Sequence, residues 1–124
     1  MNPMASTPQP PYYAVLFTSV RTRAEDDKYN RTNTRMIELA AAQPGFLGIE
    51  HARGAEGLGI TISYWDSVEN IRLWQQHAEH LQAQANGKAK WYERYHLRVC
   101  RVERAYPGLF TPRGDSLAER AIEA

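Results

Sequence analysis

Between Trp65 and Tyr95 the chain reads WDSVENIRLWQQHAEHLQAQANGKAKWYERY. All three tryptophans, Trp65, Trp74 and Trp91, fall in this stretch, with His77 and His80 inside it and His96 just beyond. Trp, Tyr and His each join an apolar body to a polar tip. Clustered, they suit the wall of a pocket for a small hydrophobic or aromatic molecule, flat and partly polar. The plainer alternative is that they fill the core and rim of a small domain. Histidine titrates near neutral pH, so His77 or His80 could serve as a general base at a pocket edge. The same pair could equally be a solvated pair on a helix surface. Two histidines three residues apart can share a metal, but no third ligand accompanies them, and no metal is expected.

Other side chains join this set. On a helix at about 100° per residue, His77, His80, Gln84 and Leu73 share a face next to the Trp74 stripe. Gln84 is thereby a candidate for contact with a ligand. Trp65 ends a strand and is either core or pocket wall. Trp91 and Tyr92 stand at a helix–strand junction, where a pocket mouth would open. Tyr95 lies on the following strand with Arg98, which shares a face with His96 and Cys100. A partly buried arginine there needs a partner, either a carboxylate of the fold or an anionic group of a ligand. Phe17, on the first strand, completes the candidate lining.

The elements that must hold these groups follow from periodicity. Residues 12–20 (YYAVLFTSV) are rich in aromatic and β-branched residues and read as a strand. Both of its alternating sets are apolar: Tyr13, Val15 and Phe17 on one face, Ala14, Leu16 and Val20 on the other. Such a strand is buried on both faces. Residues 24–42 carry Tyr29, Met36, Leu39 and Ala40 at helical spacing, and Gln43-Pro44-Gly45 stops the helix. Residues 46–53 and 58–65 read as strands joined by a Gly54–Gly57 hairpin turn. Ser67 is a good N-cap for a second helix with the stripe Ile71, Trp74, Ala78, Leu81, Ala85. Residues 95–103 alternate as a last strand.

Strand, helix, strand, strand, helix, strand is the order of the ferredoxin-like split β-α-β unit, an α+β fold. Two helices cover one face of its sheet. Strands apolar on both faces then imply a second apolar face that needs a cover, most simply a two-fold homodimer. At 124 residues the chain fits one domain. We expect an N-terminal arm over residues 1–11, flexible from its Pro, Ser, Thr and Gln content, a folded domain over 12–106, and a tail over 107–124 with a short helix from Asp115.

The composition excludes several classes. A formal net charge of +1 offers no electrostatic reason to expect nucleic acid or an anionic membrane. No apolar run approaches the ~20 residues of a membrane span, and residues 1–11 lack the pattern of a signal peptide. The single cysteine, Cys100, cannot form an intrachain disulfide; in an apolar alternating stretch it reads as a buried thiol, in a reducing, cytoplasmic setting. No P-loop, G-x-G-x-x-G, G-x-S-x-G or zinc-finger spacing is present.

The stretches YYAVLFTSVRT, LAAAQPGFLGIEHAR, GITISYWDS and W-x-x-H-x-E-H-L-x-A-Q, followed by WYERY and RVER, resemble the antibiotic biosynthesis monooxygenase (ABM) domain family, nearest to an uncharacterised bacterial subgroup. The resemblance spans residues 12–106. It implies a dimeric α+β barrel of ferredoxin-like protomers. It also implies an oxygenase that needs no cofactor, acting on an aromatic or enolisable molecule through a stabilised carbanion that passes one electron to O₂. In such oxygenases a tryptophan at the end of the third strand lies in the pocket, and Trp65 is similar. Other members degrade haem with an Asn, a Trp and a His. Trp74 matches the tryptophan, but Gln84 stands at the histidine position and Phe17 or Thr18 near the asparagine. The alternatives are a non-catalytic, stress-associated dimer that holds a small hydrophobic ligand in the same cavity and, further off, haem binding or degradation.

Overall fold

The computed structural model describes residues 3–24, 26–85 and 91–108. The elements run β1 (Tyr12–Arg21), α1 (Asp26–Ala41), β2 (Phe46–Arg53), β3 (Leu58–Trp65), α2 (Val68–Ala85) and β4 (Tyr92–Val102). This is the ferredoxin-like order. The strands form one four-stranded sheet in the order β2-β3-β1-β4, with every neighbouring pair antiparallel. Both helices lie on one face.

The register assigns the side chains. Val15 is opposite Ser63 and Val99, and Phe17 opposite Thr61 and Leu97. Residues directly opposite share a face, so Tyr13, Val15, Phe17, Thr61, Ser63 and Trp65 all look toward the helices. There Val15, Trp65 and Ile71 form the buried core, with Tyr13, Phe46 and Trp74 packed against them. Leu16, Ile60, Ile62, Arg98 and Cys100 look the other way, onto a face that neither α1 nor α2 covers.

Turns fix the element ends. Gly45 has φ +82°, a left-handed conformation that costs glycine little. A Cβ there would run into Asp66 and Asn70, and the Gly45 carbonyl accepts the Asp66 N–H at 2.9 Å. The first turn of α2 is capped as expected, the Asn70 N–H donating to Ser67 Oγ at 3.1 Å.

Residues of the expected N-terminal arm touch the uncovered face. The Ala5 N–H donates to the Glu50 carboxylate at 3.1 Å, and the Thr7 and Tyr12 hydroxyls are 3.0 Å apart. Tyr12 and Ala14 are buried beneath this end. Cys100, expected to be buried, is exposed. It pairs with Ala14 on the uncovered face of an edge strand, and alternation tells only which side a residue takes, not whether that side is covered. β4 also begins earlier than expected, because Tyr92 pairs with Arg21 through a bulge. The tail helix expected from Asp115 lies outside the described residues. Among the described residues no helix is long and apolar enough to cross a membrane.

Candidate functional site

A cavity of about 140 Å³ lies between the two helices and the sheet. Its floor is Val15, Phe17, Ile49 and Leu97, with the β3 hydroxyls of Thr61 and Ser63 between them. α1 contributes Tyr29, Asn33, Met36 and Ala40, α2 contributes Trp74, Gln75, Ala78 and Glu79, and Trp91 and Tyr92 close the junction with β4. Most of this wall is aromatic or aliphatic. Its polar groups sit mainly on the two helices.

Arg21 fixes one end. Its guanidinium lies 3.7 Å over the Tyr29 ring, donates to the Trp91 carbonyl at 2.7 Å and to Asp26 at 2.6 Å. One nearly buried cation thus joins the end of β1, the start of α1 and the start of β4. Tyr29 meets Trp91 edge-on at 5.5 Å, and Phe17 meets Tyr92 edge-on at 5.3 Å. Burial, reinforced by Tyr29, drives the Tyr92 hydroxyl well above the ordinary tyrosine range. Tyr92 therefore faces the cavity as a neutral phenol.

The sequence-predicted residues divide. Phe17, Trp74 and Trp91 line the cavity. Trp65 does not: it is 0% exposed, donates from Nε1 to Ser63 Oγ at 2.9 Å, and stacks behind Trp74 at 6.2 Å between ring centroids. His77 touches the Trp74 ring at 5.9 Å but is exposed, as is His80, and neither lines the cavity. Tyr95 packs on Phe17 at 5.6 Å and on Tyr92 at 6.0 Å, is 42% exposed, and does not line the cavity. Arg98 is opposite Leu16, on the far face of the sheet from the cavity. The Gln84 side chain lies outside the described residues. Among the described residues no cluster of three His, Cys, Asp or Glu side chains is placed to hold a metal ion.

Sequence reasoning missed Asn33, Gln75 and Glu79, while Tyr92, expected with Trp91 at the pocket mouth, does line the cavity. A signal existed for Asn33. It falls four residues after Tyr29 and three before Met36, a polar residue within the apolar stripe of α1.

The model of the antibiotic biosynthesis monooxygenase family matches residues 11–86. The uncharacterised protein YqjZ of Bacillus subtilis (strain 168) is 51% identical over 104 residues, which is 84% of this chain and 90% of that protein. Among solved structures, a point variant of SnoaB, a cofactor-independent oxygenase from Streptomyces nogalater, superposes with a TM-score of 0.65 at 14% identity, covering 79% of this chain and 99% of its own. A conserved protein from Methanosarcina mazei Go1 gives 0.63 at 7% identity, covering 75% and 94%. At these identities the structural matches establish the shared fold.

Proposed function

We propose, from the premise that the chain belongs to the antibiotic biosynthesis monooxygenase family, that it is a small oxygenase that uses no cofactor. Its substrate is an aromatic or enolisable molecule held in the cavity between helices and sheet. The observation that carries this reading is the cavity itself: aromatic walls from Phe17, Trp74 and Trp91, with polar groups gathered on α1 and α2. Such a substrate ionises to a stabilised carbanion and passes one electron to O₂. The protein supplies a dry, shaped space and holds the ionising group in place. Trp65 backs Trp74, and His77 sits at the outer rim of the Trp74 ring. The family likeness to a cofactor-independent oxygenase supports the same reaction class. Two protomers pair through the uncovered face of the sheet, where Leu58 and Ile60 are exposed.

O₂ uptake measured against monocyclic quinols, with anthrone as a three-ring comparison, tests the proposal. Turnover by metal-free protein, lost in a folded Trp74→Ala variant, is the expected result. One observation favours a second reading, binding without turnover. The histidines stand outside the cavity and Tyr92 is neutral, which leaves Glu79 as the one carboxylate among the described lining residues. Ligand binding with no O₂ uptake would select that reading. A Soret shift on haem titration would instead point to haem.

A further inference from the structure

The cavity is small and its two ends differ. β1 and β3 are antiparallel, so α1 and α2, which return from them, also run in opposite directions. Ala40 near the end of α1 and Trp74 near the start of α2 therefore lie at one end, with Val15 and Ile49. That end is apolar. Asn33, about two turns earlier on α1, and Glu79, more than a turn later on α2, lie at the other end with Tyr29 and Tyr92; Asn33 and Glu79 are both exposed, so this end opens to solvent. The free volume is about 140 Å³. An apolar cavity of about 150 Å³ takes one benzene ring.

We infer that the cavity is cut for a monocyclic phenol, its ring against Trp74, Val15 and Ala40 and its hydroxyl toward Asn33 and Glu79. The chemistry of the polar end matches that group. A phenol hydroxyl donates one hydrogen bond and accepts others; the Glu79 carboxylate can only accept, and the Asn33 amide can donate. The inference rests on the cavity being the ligand site of the proposed oxygenase, but binding alone reads it.

Ring number gives a clean test because the default trend is opposite. Larger aromatic ligands carry more apolar surface and bind tighter wherever space allows. Calorimetric titration of the full chain with phenol, toluene, naphthol and anthrone should show phenol binding at least tenfold tighter than naphthol, and no measurable heat with anthrone. Phenol should also bind severalfold tighter than toluene, and Glu79→Gln should erase most of that difference while leaving toluene unchanged. Met36→Ala, which widens the middle of the cavity, should raise naphthol affinity about tenfold; should that variant fail to fold, the wild-type ratios decide. Naphthol or anthrone binding as tightly as phenol overturns the inference, as does equal affinity for toluene and phenol, or no binding of any of the four. Phenol bound without O₂ uptake would sink the oxygenase reading and leave this one standing. Anthrone consumed with O₂ would do the reverse.

Discussion

Replacing Trp65 by Phe separates a residue that supports the cavity from one that forms it. Trp65 is 0% exposed, and its Nε1–H is given to Ser63 Oγ, itself on a residue only 9% exposed. Phenylalanine keeps one ring and removes that donor. Leaving a buried hydroxyl without its partner costs about 1–3 kcal/mol. The void where the rest of the indole stood adds about 1 kcal/mol, at about 24 cal/mol per Å³ of residual cavity. The expected loss is therefore about 2–4 kcal/mol, a large share of the stability of a domain this size. Urea unfolding followed by far-UV circular dichroism, at fixed protein concentration, should show the midpoint falling by roughly 1–2 M. Ser63→Ala should cost a similar amount by stranding the indole N–H. The double variant should cost about 1 kcal/mol less than the sum of the two, because both strip the same bond. Ligand affinity in the folded Trp65→Phe protein should change less than threefold, since Trp65 does not line the cavity. A Trp65→Phe protein of full stability that no longer binds ligand would refute this reasoning and place Trp65 in the site. A strictly additive double variant would remove the hydrogen bond from the account.

Three further outcomes follow from other parts of the fold. Ile60→Asp places a charge in the middle of the uncovered apolar face, where Ile60 is 43% exposed in the protomer; sedimentation should find wild-type dimer and a monomeric or aggregated variant, and a wild-type monomer at micromolar concentration would end the dimer proposal. Burial first, and then the neighbouring Glu50 that accepts the Tyr64 hydroxyl at 2.6 Å, push the Tyr64 pKa up to about 12. A raised folded-state pKa means that its stabilisation is whole below pH ~10 and is lost as pH rises toward 12, so the melting temperature should fall across that window less steeply in Tyr64→Phe than in wild type; identical slopes would contradict the assignment. Gly45→Ala should cost about 2 kcal/mol or more, because Gly45 has φ +82° and a Cβ would strike Asp66 and Asn70, and a thermal melt unchanged from wild type would show that the turn relaxes freely.

The strands were legible where turns bracket them. β2 and β3 fall on the residues expected, because Pro44-Gly45 and the Gly54–Gly57 hairpin stop the alternation sharply. The start of β4 was not, since Tyr92 joins the strand only by pairing with Arg21, seventy-one positions earlier, across an irregular step in the ladder. Cys100 shows a limit of a different kind. The same alternation that places it opposite Ala14 carries no information about what lies above that face. Within one protomer the N-terminal residues reach the outer face, and they cover the end near Tyr12 and Glu50. The apolar character of both faces of β1 was visible in the sequence, but which set meets the helices was fixed only by the register.

The site was legible as a region and misjudged in its direction. Taking Trp74 as the centre of the inward face puts His77 at its border, about 60° to one side at 100° per residue. The structure makes Trp74 the edge of that face instead. Ile71 and Ala78, about 60° and 40° to the other side, mark its centre, and Gln75 and Glu79 lie further in the same direction. Ile71 is buried, and Ala78, Gln75 and Glu79 line the cavity. His80 then points away from the cavity altogether, and His77 sees only the outer side of the Trp74 ring. No periodicity within α2 alone could settle this, because a tryptophan is large enough to bury its ring from the border of a stripe. The missing constraint was α1. It carries Asn33 between Tyr29 and Met36, at the exposed edge of the stripe that lines the cavity, and there the facing helix brings polar groups of its own. Gln75 and Glu79 are those groups, so the chemistry of this cavity is read from the pair of helices together rather than from the tryptophan- and histidine-rich helix by itself.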